Sequence, residues 1–165
     1  MKTFANDKVI EYLEEASETS QIYLGCDSQR KKLRVKGRSV WFAIYTVALV
    51  IHIDGSKGCK IFYITSREPD YDRKLNRPAM RMMNEVYKVA EAYAQIAEYI
   101  GDRYFEIHLD INPKEAHGSN CVMKQAIGYI QGVCQTEPKI KPFAFAASKA
   151  ADYGCRLKYT HAEAA

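Results

Sequence analysis

The stretch Ile22-Tyr-Leu-Gly-Cys-Asp-Ser-Gln29 decides how the rest of the chain is interpreted. Its apolar residues predict a short strand, Gln21 to Cys26, because aromatic and branched side chains suit a pleated, buried surface. Asp27 follows at the end of that strand, where a carboxylate needs hydrogen-bond donors or a metal ion as its partner. An Asp-Ser turn, in which the side chains bond their own backbone, is the alternative for this position.

Length and composition indicate an ordinary globular protein. The 165 residues are 47% hydrophobic and 27% charged, so we expect one domain over residues 1–165, with a helical extension over residues 1–20. No leader or membrane span is predicted, since the longest apolar run, Val40 to Ile53, is interrupted and short. Five scattered cysteines favour reduced thiols and a cytoplasmic location over disulfides or a zinc site.

A strongly basic segment follows Asp27. It carries six cations within nine residues and no acid: Arg30, Lys31, Lys32, Arg34, Lys36 and Arg38. Without them the net charge of +4 would become about −2, so the basic character is local. Clustered Lys and Arg gain affinity for nucleic acid by releasing counterions from its phosphate backbone. The segment is therefore either a solvated hairpin arm or a contact with nucleic acid.

The hydrophobic pattern predicts an α/β protein with strands and helices in a definite order. Three strands come first and are followed by helix, strand, helix, strand and helix. The expected elements are helix Asn6–Ser17, strands Gln21–Cys26, Ser39–Ile53 and Cys59–Thr65, helix Pro78–Ile100, strand Phe105–Ile111, a helix capped by Ser119, strand Pro138–Ala147, and a helix Lys149–Tyr159 capped by Ser148. We expect a mixed five-stranded sheet with antiparallel early strands and helices on both faces.

Four acids occupy unusual positions in this pattern. Asp110 sits at the C-terminal end of the fourth strand, as Asp27 sits just beyond the end of the first, and sites in α/β sheets gather at such strand ends. Glu85 falls on the apolar stripe of the long helix, and Asp152 lies near the start of the last helix. Each acid alone has a simpler structural explanation, namely a turn, a partly exposed helix acid or a helix N-terminal charge. Their joint placement favours a metal site.

The element order and these acids resemble the ribonuclease H-like superfamily over nearly the whole chain after the N-terminal helix. Within it, the chain is similar to the YkuK-type group of bacteria and phages in four segments: Leu-Gly-Cys-Asp-Ser-Gln at 24–29, Met-Asn-Glu at 83–85, His-Leu-Asp-Ile-Asn-Pro at 108–113 and Ala-Ser-Lys-Ala-Ala-Asp at 147–152. The resemblance implies a divalent-metal-dependent nuclease whose catalytic residues and metal ligands are Asp27, Glu85, Asp110 and Asp152. An obvious His loop of the bacterial ribonuclease H kind is missing before the last acid.

Clustered carboxylates suit Mg²⁺ or Mn²⁺, and two such ions can activate water and stabilise the leaving oxygen of a phosphodiester. In this scheme Asp27 bridges both ions, Glu85 and Asp110 share one of them, and Asp152 holds the other. The expected substrate is RNA, an RNA–DNA hybrid or branched DNA. Expected substrate contacts are Ser28, Gln29, Arg30, Lys31, Lys32, Arg34, Asn112, His117, Ser119 and Lys149. The alternative is a catalytically inactive nucleic-acid-binding protein of the same fold.

Overall fold

The computed structural model describes residues 4–162, with side chains through residue 157, so the outer bounds of the predicted domain lie outside the described residues. The elements are α1 (Asp7–Glu15), β1 (Gln21–Val35), β2 (Arg38–His52), β3 (Cys59–Pro69), α2 (Ala79–Ile100), β4 (Tyr104–Leu109), α3 (Met123–Cys134) and α4 (Asp152–Ala162). Short 3-10 turns occupy Ile53–Gly55 and Gly118–Val122, and a π-helical segment, Ala146–Ala151, precedes α4. Among the described helices, none is long and apolar enough to cross a membrane.

Four strands form one mixed sheet in the order β3-β2-β1-β4. The pairs β1–β2 and β2–β3 are antiparallel, whereas β1 and β4 are parallel. The expected antiparallel start and the mixed character of the sheet are therefore confirmed. The first and fourth strands are neighbours in this sheet, which brings the ends of their shared ladder together.

The first strand is much longer than its apolar residues predict. Instead of ending at Cys26, β1 continues to Val35 and stays paired with β2 from Gln21–His52 to Val35–Arg38. Lys36 and Gly37 form the two-residue turn, and both have positive φ angles, 47° and 78°. Turns of this kind match the natural twist of two antiparallel strands. We call residues 29–42, the outer part of this β1–β2 pair, the basic hairpin.

Helices cover both faces of the sheet, as expected. Helices α1, α2 and α3 pack on one face, where Leu13, Leu24 and Ile96 belong to one buried core. The π-helical segment and α4 pack on the other face and approach the sheet closely. A Cβ atom on Gly25 of β1 would lie 2.4 Å from the backbone nitrogen of Ala147. The glycine therefore permits the helical segment before Asp152 to touch β1.

A buried acid outside the helix fixes the start of α2. The Asp72 carboxylate accepts hydrogen bonds from the backbone N–H groups of Met80, at 3.0 Å, and Arg81, at 2.8 Å. These N–H groups belong to the first turn, which has no partners inside the helix, and a negative charge there is favourable. Asp72 thereby anchors the helix that carries Glu85.

The predicted fifth strand, Pro138–Ala147, does not form. Within those residues only Lys139 pairs with the sheet, through an isolated parallel bridge to His108. Pro138 and Pro142 lack the N–H group that a ladder needs, and helical structure already begins at Phe145.

Both serine caps predicted from the sequence are wrong. Ser119 lies inside the 3-10 turn, four residues before α3 begins, and its hydroxyl accepts a hydrogen bond from the Asn112 N–H. Ser148 lies inside the π-helical segment, and its hydroxyl donates to the Ala144 carbonyl. In each case helical structure begins before the residue at which the sequence predicted the helix to start.

The close approach at Gly25 can be tested with two alanine substitutions. We expect Gly25→Ala to lower the free energy of unfolding by about 1–3 kcal/mol or more, since the new methyl group meets backbone atoms. Gly128→Ala is the matched control, because nothing lies within 4 Å of the added Cβ in α3. That change should raise stability by about 0.5–1 kcal/mol, as Ala is the better helix former. Urea denaturation measures both, and equal stabilities of the two variants would contradict the close approach.

Candidate active site

Asp27 and Asp110 lie at the point where the parallel ladder between β1 and β4 ends. The last paired residues of that ladder are Cys26 and Leu109. Asp110 follows β4 directly, as expected, whereas Asp27 does not end its strand, because β1 continues and pairs Asp27 with Thr46 of β2. Asp27 is only 8% exposed. The two acids therefore meet at one edge of a ladder, although only one of them ends a strand.

Glu85 reaches the same region from α2. It is 3% exposed and accepts a hydrogen bond from the Ser28 hydroxyl. Arg81, one turn earlier, donates from Nη1 to the Ser28 carbonyl at 2.9 Å and to its hydroxyl at 2.8 Å. The same nitrogen lies 4.0 Å from Glu85 Oε1. Ser28 thus joins the central strand to both charged residues of the helix.

Like charges crowd around Asp27. Its pKa is raised from the usual 3.8 to about 7, first by burial and then by the negative charges of Asp110 and Asp152. Burial and the nearby Asp27 likewise raise the pKa of Glu85 well above its usual value. Desolvation and repulsion between carboxylates both disfavour the ionised form. Asp27 therefore interacts electrostatically with each of the other three predicted acids.

Three of the four acids have a positively charged neighbour. The Lys141 ammonium lies 2.8 Å from Asp110 Oδ1, and the Arg156 guanidinium lies 2.6 Å from Asp152 Oδ2. Arg81 provides the corresponding charge beside Glu85. Gln29, a predicted substrate contact, donates to Asp152 Oδ1 at 3.3 Å. These side chains offset much of the negative charge that surrounds Asp27.

A cavity of about 780 Å³ opens over the acids. Its lining includes three of the four acids, the predicted contacts Ser28, His117 and Ser119, and the cations Arg77, Arg81 and Lys141. Its walls include the loops 75–78 and 115–121, which touch so closely that a Cβ on Gly118 would lie 2.3 Å from the Asn76 carbonyl oxygen. Asp152 is not part of this lining. Its negative charge raises the pKa of Asp27, and its carboxylate accepts a hydrogen bond from Gln29.

The remaining predicted contacts differ in their surroundings. Asn112 is engaged within its own loop, where its side chain accepts from the Lys114 N–H and its backbone N–H donates to Ser119. His117 is exposed at the cavity, and Lys149 is exposed on the π-helical segment outside the cavity lining. Of the predicted substrate contacts, Asn112 thus uses its polar groups to shape a wall of the cavity.

On the basic hairpin, the Arg30 side chain is held by the protein itself. Its Nε lies 2.6 Å from the Asp70 carboxylate, and its Nη2 donates to the Asp72 carbonyl at 2.9 Å. The other predicted contacts of the hairpin are partly or fully exposed: Lys31, Lys32 and Arg34.

The donor atoms at this site suit a hard divalent cation. Carboxylate oxygens are the ligands that Mg²⁺ and Mn²⁺ prefer, and a cation would relieve the repulsion that raises the pKa of Asp27. Among the described residues, no three His, Cys, Asp or Glu side chains are arranged to hold one ion. An ion held by Asp110 or Asp152 would take over the role of Lys141 or Arg156 as counter-charge.

Three basic residues that neighbour the acids were not predicted from the sequence. Arg81 precedes Glu85 by four residues and Arg156 follows Asp152 by four, so helical spacing could have indicated both. Lys141 gives no comparable signal, since its approach to Asp110 depends on the contact between Lys139 and β4.

Comparison with known families accords with this topology. The ribonuclease H-like family model matches residues 5–156. The chain belongs to the ribonuclease H-like family. Neither a curated protein nor a solved structure matches it. The finer similarity of this ribonuclease H-like chain to the YkuK-type group and its cytoplasmic location stay predictions.

The crowding at Asp27 predicts a pH dependence of stability. Folded Asp27 keeps its proton up to about pH 7, whereas the unfolded chain loses it near pH 3.8. Since the folded state then binds more protons, stability falls as pH rises between these values, by up to about 4 kcal/mol in total. In metal-free buffer, Asp27→Asn should make the fall between pH 5 and pH 8 shallower, measured by urea denaturation, and Glu85, whose pKa is also raised, contributes to the fall that remains.

Asp54→Asn is the control for this pH dependence. Hydrogen bonds from Ser17 and Thr19 lower the pKa of Asp54 to about 2, so its titration lies below the measured window. Its profile between pH 5 and pH 8 should run parallel to that of the wild type. A parallel profile for Asp27→Asn would show that the pKa of Asp27 is not raised in the folded protein.

Proposed function

We propose that this chain is a divalent-metal-dependent nuclease that hydrolyses phosphodiester bonds in RNA, RNA–DNA hybrid or structured DNA. The observation that carries the proposal is the convergence of Glu85, Asp110 and Asp152 on the buried Asp27. A protein that only bound phosphates would gain nothing from four carboxylates beside them. Membership of the ribonuclease H-like family supports the same chemistry.

Asp27, Glu85, Asp110 and Asp152 would together hold two ions, Mg²⁺ or Mn²⁺. When bound, such a pair supplies an activated water and stabilisation of the leaving oxygen. The protein contributes the orientation of the acids. Ser28 and Arg81 fix the Glu85 carboxylate, and Gln29 fixes Asp152.

The cations of the cavity take the role of phosphate contacts in this proposal. Lys141 and Arg81 line the same cavity as the acids, and both are positioned by hydrogen bonds or ion pairs. Arginine presents a planar fork that fits phosphate oxygens, and lysine presents a point charge. A phosphodiester in the cavity would therefore meet positive charge on the protein side as well as any ion held by the acids.

A catalytically inactive nucleic-acid-binding protein is the second candidate. It is favoured by the pairing of Asp110 with Lys141 and of Asp152 with Arg156, since these pairs already satisfy part of the acid cluster. In that case the exposed basic hairpin would account for the whole function, and the acid cluster would have no catalytic role.

Substitution of Asp27 separates the two candidates. Asp27→Asn keeps the size of the side chain but removes the charge that a hard cation needs, so cleavage should be abolished. Wild-type protein should melt a few degrees higher in millimolar Mg²⁺ or Mn²⁺, because a ligand that binds only the folded state stabilises it. The variant should lose this shift. Cleavage assays on single-stranded, hybrid and branched substrates and thermal melts measure both effects.

Asp102→Asn provides the control, since Asp102 precedes the opposite end of β4 from Asp110. It should cleave and respond to metal as the wild type does. If neither wild type nor Asp102→Asn responds to metal or cuts any substrate, the nuclease proposal fails and the inactive binding protein takes its place.

A further inference from the structure

The single tryptophan of the chain lies on the basic hairpin. Trp41 is 39% exposed on β2, directly opposite Lys32 of β1. Tryptophan offers a large, rigid apolar surface and is enriched at binding interfaces. Here the ring sits among the densest positive charge of the sequence.

The Trp41 ring is held in place by its neighbours. The Arg30 guanidinium carbon lies 4.3 Å from the ring centroid, and the Lys32 ammonium lies 5.8 Å from it. Arg30 is itself fixed by the Asp70 carboxylate, and the Asp70 N–H donates to the Trp41 carbonyl at 2.9 Å. A ring fixed in this way loses little conformational freedom when a ligand stacks on it.

Trp41 also lies on the same face of the sheet as the cavity. Successive residues of a strand alternate between faces, so Ser28, Arg30 and Lys32 share one face with Trp41. Ser28 lines the cavity and bonds Glu85. At about 3.3 Å per residue, the distance along β1 from Ser28 to Lys32 is roughly 13 Å. A polymer that leaves the cavity along β1 therefore passes over the ring.

We propose that Trp41 is a base-stacking platform for a single-stranded segment of nucleic acid that extends from the cavity along the basic hairpin. The proposal rests on the nucleic-acid function proposed above and narrows its substrate to strands with accessible base faces. Bases in a duplex are stacked on one another, whereas an unpaired base can stack on an aromatic ring. Lys32 and Arg34, both exposed, would contact the phosphates of the same strand.

Because Trp41 is the only tryptophan, its fluorescence reports directly on this surface. The full chain carrying Asp27→Asn is titrated without metal, so that no strand is cut. A single-stranded oligonucleotide should quench the fluorescence and bind more tightly than a blunt duplex of the same sequence. With a labelled oligonucleotide, fluorescence anisotropy should show a loss of about 5- to 150-fold in affinity for Trp41→Ala, and much less for Trp41→Phe.

Tyr129→Ala is the matched control, since Tyr129 is an exposed aromatic residue on α3, 37% exposed and in edge-to-face contact with Tyr87. It should leave affinity for the single strand unchanged. Equal binding of strand and duplex, with no effect of Trp41→Ala, overturns the platform. A fluorescence response to vesicles with anionic phospholipid, but none to oligonucleotides, overturns it in favour of a membrane surface.

The charges of the basic hairpin can be tested separately, by the salt dependence of binding. Replacing Lys32 and Arg34 by Gln should lower the slope of log affinity against log salt by about 1.4 units for a single strand. Stability should stay unchanged, since exposed charges contribute little to it. An unchanged slope would show that these cations do not contact phosphate. Since every binding measurement is made without metal, the platform can stand even if the cleavage assays fail, and the reverse also holds.

Discussion

The burial of two carboxylates, Asp27 and Glu85, at the junction between the sheet and α2 is the constraint on which the rest of the structure depends. A buried charge is costly unless hydrogen bonds or opposite charges surround it. The protein provides both through Ser28 and Arg81, which contact Glu85 from the strand and from the helix. Asp72 holds the first turn of the same helix. Much of the polar structure in the described residues is thus organised around two acids that a purely structural protein would replace with apolar residues.

The acids could be predicted because each contradicts its local pattern. Glu85 interrupts an apolar helical stripe, and Asp27 follows a run of strand-forming residues. The length of β1 could not be predicted in the same way. Its outer half is polar and basic, and it is a strand because the apolar residues of β2 pair with it. Pairing between distant segments overrides local preference in sheets more often than in helices.

In the C-terminal third, local sequence patterns predict a strand that does not form. Residues 138–147 look like a strand by composition, yet two prolines allow only one bridge, at Lys139. That bridge brings Lys141 to Asp110, a contact between residues 31 positions apart that no periodicity indicates. By contrast, Arg81 and Arg156 follow from simple helical spacing. Local rules could therefore have indicated Arg81 and Arg156, which share a helix with their partners, but not Lys141, which a loop brings to Asp110.

Arg30 connects three parts of the molecule that sequence reasoning treated separately. It stacks on Trp41 of the basic hairpin, pairs with Asp70 and bonds the carbonyl of Asp72, whose carboxylate holds α2. Through these contacts one side chain sets both the position of the hairpin surface and the start of the helix that carries Glu85. These contacts join the two surfaces, and the contact of Arg30 with substrate stays a prediction.

Because the turn at Lys36 and Gly37 has only two residues, the length of the basic hairpin can change only in discrete steps. Inserting one residue into each strand would turn every side chain beyond the insertion to the opposite face. Only insertions of two residues per strand keep the cations and the tryptophan facing the cavity, and each such step lengthens the hairpin by roughly 6–7 Å. Related chains, natural or engineered, can therefore vary the length of this projection in discrete increments while the sheet beneath it stays the same.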